Sequence, residues 1–247
     1  MSTKFITALP VFNEVNSVHP VLDEVARHST DILVVDDGST DGTSEQLEER
    51  DDIILLRHTE NKGYGGALVT AFNYAIENDY EVIVTIDCDG QHEPQRIQQF
   101  VTACVKTGAD IVSGSRYLKV FDADGQAPQD RRKINGKVTT MLNDRLGLGL
   151  TDAFCGFKAY RVQSLAKLEL TEMGYAMPLE LWVQAACQKL KVVEVAVPRI
   201  YLDESRSFGD KLDDPSTRLN YYRDVMRRAF LALPSDCEKL RQGERVG

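Results

Sequence analysis

Apolar runs typical of β-strands alternate with helical patterns through the first half of the chain, and this alternation constrains the fold more than any other feature. The run 82–86 is continuously apolar, as in a central strand that is covered on both faces. The predicted strands are 4–9, 32–35, 53–56, 82–86 and 111–113, and the predicted helices are 18–25, 43–49, 66–77 and 94–106. This β-α-β-α order predicts an α/β fold with a doubly wound, mostly parallel sheet and helices on both faces.

The second half of the chain is less regular. We predict a polar loop at 117–130, a helix at 133–146, a strand or turn at 156–161, a helix at 179–190, a strand at 192–197 and a second polar loop at 201–214. Asp214 is placed to cap a last helix that begins at Pro215 and runs to about Leu231. No repeat or linker interrupts the chain, so we predict one domain over 1–232, with a nucleotide-binding half at 4–115 and a polar tail at 233–247.

Charge and composition exclude several classes of protein. The chain of 247 residues is 43% apolar and 27% charged, as an ordinary globular protein is. It has 29 basic and 38 acidic residues and a net charge of −9. Non-specific nucleic-acid binding relies on Lys and Arg, so we expect no nucleic-acid partner.

Cysteine usage and the N-terminus bear on the compartment. The five cysteines are scattered and form no CxxC pair, which disfavours a zinc knuckle and a disulfide framework and fits a reducing compartment. The first residues contain no long apolar segment, and no run approaches the ~20 apolar residues that span a bilayer. We therefore expect a cytoplasmic protein.

Ligands of wound sheets bind beyond the carboxyl ends of the strands, and polar segments follow three of the predicted strands directly. The third of these segments, DCDGQ, contains Asp87 and Asp89. If the turn holds both acids toward one site, they offer hard oxygen ligands to Mg²⁺ or Mn²⁺, and Gln91 adds a carbonyl oxygen. The alternative is an acidic turn without a metal.

The segment DDGSTDG contains Asp36 and Asp37, which can accept hydrogen bonds from a nucleobase or a ribose, or can belong to an Asx-rich turn. For these two residues we favour the ligand role, because adjacent acids repel each other unless something offsets their charge. For Asp41 we favour capping of the next helix. The segment NKGYGG opens a helix, where Lys62 and the glycine amides can meet a phosphate. A flexible helix start is the alternative.

In this order, PVFNE, DDGSTDGT, NKGYGGAL, DCDGQHEP and SGSR resemble family 2 glycosyltransferases of the GT-A fold, and most of all the polyprenyl-phosphate (dolichol-phosphate) mannose and glucose synthase group. The resemblance covers roughly residues 4–210. It implies inverting transfer from a nucleoside-diphosphate sugar of the GDP-mannose or UDP-glucose type, with Mg²⁺ or Mn²⁺. The implied donor-binding residues are Pro10, Phe12, Glu14, Asp36, Asp37, Lys62, Gly63, Asp87, Cys88 and Asp89, with Asp87, Asp89 and Gln91 on the metal.

The same resemblance assigns the half 116–232 to the acceptor. Arg116, Arg131 and Arg132 would grip an acceptor phosphate, since a guanidinium group matches phosphate oxygens. Asp152, in DAFCGFKAYR, would be catalytic together with Asp89 and Arg116. If the acceptor is a hydroxyl, Asp152 or Glu180 is the candidate base. The alternatives are a structural contact for Asp152 and a capping role for Glu180.

Three further expectations concern the site and its surroundings. Arg206 would close over the diphosphate. No ligand spacing connects the four histidines, and we assign His92 no catalytic role. Many members of the group carry C-terminal membrane helices, which this chain does not show, so its last helix either lies on an anionic membrane surface or packs on the domain. A lipid-phosphate acceptor at the inner face of the membrane and a homodimer are both open.

Competing functions are a haloacid-dehalogenase-type phosphatase, a nucleotide-sugar pyrophosphorylase and a non-catalytic sugar-nucleotide-binding protein. Gln91 stands where the phosphatase motif expects Thr, and PVFNE stands where a pyrophosphorylase carries its glycine-rich loop. The intact acids of the motifs argue against a non-catalytic protein. A dinucleotide dehydrogenase is disfavoured because GYGG follows the third strand.

Overall fold

Seven strands form one sheet in the computed structural model, which describes residues 3–122, 124–125, 129–200 and 212–242. The strands are β1 (Phe5–Val11), β2 (Ile32–Asp36), β3 (Ile54–Arg57), β4 (Val82–Thr85), β5 (Ile111–Ser115), β6 (Lys158–Arg161) and β7 (Val192–Ala196). Their order across the sheet is β3-β2-β1-β4-β6-β5-β7. All pairs are parallel except those made by β6. The predicted doubly wound, mostly parallel sheet is confirmed.

Helices cover both faces of this sheet. They are α1 (Val18–Ala26), α2 (Thr43–Glu48), α3 (Tyr64–Glu77), α4 (Ile97–Thr107), α5 (Gln129–Leu146), α6 (Val162–Leu165), α7 (Met177–Cys187), α8 (Pro215–Ala232) and α9 (Glu238–Gln242). Helices α1, α2 and α4 share one apolar core with the sheet, and α3 and α5 to α9 share the other. Both cores are close to fully buried, which accounts for the continuously apolar strands β2 and β4.

Strand β6 carries the second half of the chain into the middle of the sheet. It runs antiparallel between β4 and β5, with Ala159 opposite both Val84 and Val112. The sequence pattern predicted a strand or a turn at 156–161 but gave no direction. Because β6 lies inside the sheet, the two predicted halves of the chain interleave in one structural unit.

The element boundaries agree with the prediction to within a few residues in the first half and differ more in the second. Strand β1 continues through Pro10, which lies beyond the part of β1 that pairs with β4. Helix α5 begins at Gln129, inside the predicted loop. The cap of α8 is confirmed, since Asp214 Oδ1 accepts the Thr217 amide at 2.7 Å. Arg206 lies outside the described residues.

The C-terminal segment packs on the domain where we predicted a polar tail. A 3₁₀ turn at Ser235–Cys237 leads into α9, and Leu233, Cys237 and Leu240 are buried. Cys237 forms a disulfide with Cys187 at the end of α7, a pairing that the sequence pattern did not indicate, while Cys88, Cys104 and Cys155 are free thiols. The two cysteines are 50 residues apart in sequence, and only the packing of the C-terminal segment on α7 brings their Cα atoms to 5.6 Å.

Among the described residues, no helix combines the length and the apolar character that crossing a bilayer requires.

Candidate active site

The loops after β1 and β2 are joined by hydrogen bonds at the carboxyl edge of the sheet. The Asn13 amide donates to Ser39 Oγ at 2.9 Å, and Asn13 Oδ1 accepts the Thr40 amide at 2.9 Å. The Glu14 amide donates to Thr43 Oγ1 at 2.8 Å. These bonds make PVFNE and DDGSTDG one connected surface.

The residues of these two loops differ in how far their side chains are buried. Phe12 is 42% exposed, Pro10 is half-buried in β1, and the Glu14 carboxylate accepts the Ser17 hydroxyl at 2.7 Å. Asp41 Oδ1 accepts the amide of Thr43, the first residue of α2, at 3.0 Å. The N-cap position itself is Gly42, so Asp41 satisfies the first amide of the helix from one residue before that position.

The buried side chain of Asp36 holds the DDGSTDG turn together through hydrogen bonds. Its side chain is fully buried, and its oxygens accept the Ser39 amide at 2.9 Å and the Ser44 hydroxyl at 2.5 Å. Arg57 lies 3.4 Å from Oδ2. Because a buried carboxylate needs such donors, Asp36 acts here as the anchor of the turn. The family resemblance implies a contact of Asp36 with the base or ribose, which these hydrogen bonds do not show.

Asp37 anchors the start of the glycine-rich segment. Its Oδ1 accepts the Lys62 amide at 2.9 Å and a hydrogen bond from His58 Nδ1 at 2.6 Å, and its Oδ2 accepts the Gly63 amide at 2.8 Å. His58 Nε2 contacts Thr70 Oγ1 at 2.9 Å, which ties the ring to α3. Asp37 therefore positions Lys62 and Gly63 and is itself almost fully buried. The predicted nucleotide contact of Asp37 stays a prediction.

The glycines of NKGYGG allow another loop to pack against the start of α3. The Gly66 amide donates to the Met173 carbonyl at 3.1 Å, and a Cβ at position 65 would lie 2.8 Å from the Met173 carbonyl carbon. The need for glycine here is thus close packing, where we expected either an anion cradle or flexibility. Lys62 has an exposed side chain beside this contact.

Asp87 and Asp89 lie in the turn that follows β4, at the centre of the sheet edge. The Asp87 oxygens accept the Tyr64 hydroxyl at 3.1 Å and His92 Nε2 at 3.0 Å, and the Asp87 side chain is 28% exposed. Asp89 Oδ1 accepts the Gln91 amide at 2.9 Å. Between the two acids, Cys88 is buried in the core, so its side chain lies below the surface that a donor would contact.

The surroundings of Asp87 keep it ionised. Burial alone would raise the pKa of Asp87, but the hydrogen bond and charge of His92 and the hydroxyl of Tyr64 hold that pKa below its ordinary value. The buried ammonium group of Lys158 adds to this effect. A charged carboxylate at the surface of the turn is what a divalent cation requires.

Gly156, just before β6, leaves room for the Asp87 carboxylate. A Cβ at position 156 would lie 2.5 Å from Asp87 Oδ1, and the Gly156 carbonyl accepts the Thr85 hydroxyl at 2.7 Å. The oxygens of Asp87, Asp89 and Gln91 are of the type that Mg²⁺ and Mn²⁺ prefer, and the lack of a side chain at 156 leaves the space that the Asp87 carboxylate occupies. The residues present fit a cation of this class.

Lys158 is a buried cation beneath this edge. Its Nζ donates to the Cys155 carbonyl and lies 5.6 Å from the centre of the Trp182 ring. Burial lowers the pKa of Lys158, and the carboxylates of Asp152 and Asp87 oppose that effect. The charge of Lys158 thus interacts both with Asp87, in the turn after β4, and with Asp152, in the DAFCGFKAYR segment.

Arg116, directly after β5, forms a two-point ion pair with Asp152. Its Nε and Nη2 donate to the two Asp152 oxygens at 2.6 and 2.9 Å, and Asn135 of α5 donates to Oδ1 at 3.0 Å. Burial alone would raise the pKa of Asp152, but the charge and hydrogen bonds of Arg116 hold it far below its ordinary value. Asp152 therefore orients Arg116, and its low pKa and its bonds to Arg116 and Asn135 contradict a role as general base.

The remaining residues predicted for the acceptor side differ in burial and in their contacts. Glu180 is buried and accepts the amides of Thr171 and Glu172 at 2.8 and 2.7 Å, so it holds a loop and is unsuited as a base. Arg131, in the first turn of α5, is half-buried. Burial raises the pKa of Tyr222 to about 12, and the charges of Arg218 and Arg131 oppose this rise. Arg132 beside it is exposed.

Sequence reasoning missed several residues that shape the site. His92 was given no role, and yet it contacts Asp87; its place five residues after Asp87, in the same turn, was the available signal. Lys158 is the first residue of β6 and is buried although it is charged, which the local sequence did not indicate. The contacts of His58 and Tyr64 had no signal in the local sequence, because they join segments far apart in the chain.

Comparisons with known proteins agree with this geometry. The model of the family "Glycosyl transferase family 2" matches residues 7–169. Undecaprenyl-phosphate mannosyltransferase of Micrococcus luteus is 31% identical, over 83% of this chain and 88% of that protein. Polyprenol monophosphomannose synthase of Mycolicibacterium smegmatis is 31% identical, over 78% of this chain and 76% of that protein.

A solved structure shows the same fold at lower identity. The structure of S. aureus TarS in complex with UDP-GlcNAc superposes with a TM-score of 0.62 at 16% identity, over 97% of this chain and 70% of that one. The sheet and its helices therefore form a GT-A fold.

Asp152→Asn should destabilise the protein by about 3 kcal/mol at pH 7, since it breaks a buried ion pair. The pKa of Asp152 is lower in the folded chain than the ~3.9 of an unfolded one, so its contribution is complete above that value and is lost as the pH falls through the folded pKa. Urea unfolding at pH 7 and pH 3 should show a smaller difference from wild type at pH 3. An equal difference at both pH values would contradict the ion-pair assignment, and Asp51→Asn, in an exposed acid, is the control.

Gly156→Ala should weaken Mn²⁺ binding by about 10- to 100-fold, because the added Cβ displaces the Asp87 carboxylate. The matched control is Gly136→Ala, at an exposed position in α5 where a Cβ meets nothing within 4 Å. Free Mn²⁺ measured by electron paramagnetic resonance reports binding, and circular dichroism reports folding. A folded Gly156→Ala variant with unchanged Mn²⁺ affinity would refute the role of Asp87 in holding the cation.

Proposed function

The chain belongs to glycosyl transferase family 2, within the polyprenyl-phosphate mannose synthase group, and on that premise we propose that it transfers a hexosyl group from a nucleoside-diphosphate sugar to a polyprenyl phosphate. The observation that carries the proposal is the ionised Asp87 beside Asp89 at the central edge of the sheet. Membership in this family removes the phosphatase and pyrophosphorylase alternatives.

The donor occupies the carboxyl edge of β1, β2 and β4 in this proposal. The connected PVFNE and DDGSTDG loops receive the nucleoside, with Phe12 exposed for stacking, and Lys62 stands beside the diphosphate. The names of the two relatives favour a mannosyl donor, so GDP-mannose is the first donor to test and UDP-glucose the second.

Asp87, Asp89 and Gln91 would hold Mg²⁺ or Mn²⁺. Such a cation, when bound, supplies positive charge that offsets the negative charge of the departing diphosphate. The contribution of this chain is to keep Asp87 ionised, through His92 and Tyr64, and to fix its position against Gly156.

The acceptor phosphate meets the arginines at the edge of β5. Asp152 fixes the guanidinium plane of Arg116, and Arg131 lies half-buried in the first turn of α5. A phosphate oxygen is already anionic at neutral pH, so it can attack the anomeric carbon without a base. The new carbon–oxygen bond forms on the face opposite the carbon–oxygen bond to the diphosphate, which breaks, and the anomeric configuration inverts.

The state of Asp152 favours this acceptor over a hydroxyl. A hydroxyl acceptor requires a general base with a pKa near the working pH. Asp152 has a strongly lowered pKa and its oxygens are bound to Arg116 and Asn135, and Glu180 is bound within its own loop. Since a polyprenyl phosphate resides in a membrane, the protein would work at the membrane surface.

Asp89→Ala should abolish cation-dependent binding of the nucleoside diphosphate, because it removes one oxygen ligand of the cation. Calorimetric titration with GDP and with UDP, each with and without Mn²⁺, measures the effect and identifies the base. Transfer of labelled mannose or glucose to a short polyprenyl phosphate should fall on the order of 100-fold. The control, Asp51→Ala, has the same change of charge on an exposed loop.

Two results would contradict the proposal in separate ways. Wild-type binding and transfer by Asp89→Ala would refute the cation site. No transfer by the wild-type chain from any sugar nucleotide to a polyprenyl phosphate would refute the proposed reaction.

Arg131→Ala should raise the KM for polyprenyl phosphate about tenfold or more and leave the KM for the sugar nucleotide unchanged, because a charge-assisted bond to the acceptor phosphate is lost. Lys133→Ala, an exposed cation two residues further along α5, is the matched control. Steady-state kinetics with each substrate varied in turn provides the measurement. Equal increases in both KM values would show that Arg131 does not act on the acceptor alone.

A further inference from the structure

A groove of about 280 Å³ lies between α5, α8 and α9, away from the donor edge of the sheet. Four of its lining residues are arginines and the other four are apolar. The arginines are Arg145, Arg223, Arg227 and Arg241, and the apolar residues are Met141, Met226, Phe230 and Leu231. No step of the proposed transfer uses this groove.

The groove concentrates positive charge on a chain whose net charge is −9. One of its arginines, Arg227, pairs with Asp224 at 2.7 Å. Within the part of the chain that the structure describes, no acid pairs with Arg223 or Arg241, and both are exposed. The local excess of guanidinium groups is therefore available to an anion from outside the protein.

The fixed part of the groove is the contact between Arg145 and Phe230. The Arg145 guanidinium lies 3.7 Å from the centre of the Phe230 ring and donates to the Leu240 carbonyl at 2.7 Å. This contact holds a cation over an apolar floor. Leu231 is 58% exposed at the same groove, so no residue that the structure describes covers its apolar surface.

The groove is separate from the acceptor-side arginines. Arg131 and Arg145 lie at opposite ends of α5, about 21 Å apart at 1.5 Å per residue. An anion in the groove would not occupy the position of the acceptor phosphate.

We propose that this groove binds the phosphate headgroup of an anionic membrane phospholipid and thereby holds the protein at a membrane surface. Guanidinium groups match phosphate oxygens, and the apolar side chains beside them match the first part of an acyl chain. A soluble anion would use the arginines but not the exposed Leu231. A surface that combines exposed cations with exposed apolar side chains is suited to an amphiphile, which has both a charged headgroup and an apolar chain.

The test is sedimentation of the full chain with vesicles of phosphatidylcholine alone or with about one third phosphatidylglycerol. We expect binding only to the anionic vesicles, decreasing as salt is added. The double variant Arg223→Ala/Arg241→Ala should weaken this binding on the order of tenfold or more. The matched control Arg27→Ala/Lys106→Ala removes the same charge from exposed positions just after α1 and on α4, on the other face of the sheet, and should bind as wild type does.

Leu231→Ser separates the apolar contribution. It should weaken binding at high salt, where the electrostatic attraction is screened, although it changes no charge. Circular dichroism melting checks that each variant folds.

Three outcomes would overturn the proposal. They are equal binding to neutral vesicles, no binding to either kind, and equal weakening by the groove variant and the control variant. The vesicles contain no polyprenyl phosphate and no sugar nucleotide is added, so the result does not depend on the proposed transferase reaction.

Discussion

Carboxylates buried at the carboxyl ends of the strands must find hydrogen-bond donors, and this requirement organises the whole edge of the sheet. Asp37 and Asp152 meet it with donors from distant segments. Asp36 and Asp87 meet it with donors from their own turns together with Arg57 and Tyr64 from other segments. Asp37 receives amides more than twenty positions away, and Asp152 receives a guanidinium group 36 positions away. The acids thereby fix the loops relative to one another before any ligand binds.

This constraint also explains how much the sequence could predict. Local signals were sufficient for β2, β4 and α8, because a continuous apolar run or a capping Asp214 acts within a few residues. The direction of β6 and the Cys187–Cys237 bond depend on packing between distant segments, which a single sequence does not encode in a readable pattern. In the site, too, a local signal was sufficient for the Asp87–Asp89 turn, because this turn directly follows an apolar strand.

The sequence did not indicate which residues each acid contacts in the folded chain. Asp36, Asp152 and Glu180 have the residue type that ligand binding or proton transfer needs, and the structure uses all three to hold loops or orient Arg116. Conversely, His92 and Lys158 were assigned no role, and yet both help to hold the pKa of Asp87 below its ordinary value. Residue type identifies the chemistry that is available, and only the contacts decide whether it is directed at a substrate or at the chain itself.

The disulfide between Cys187 and Cys237 encloses all of α8 in a covalent ring. A single backbone cleavage anywhere between the two cysteines would therefore leave both fragments attached to each other. Such a nicked protein would migrate as one band in an electrophoresis gel without reductant and as two bands after reduction. Its C-terminal fragment would stay bonded to α7 even if α8 separated from the sheet.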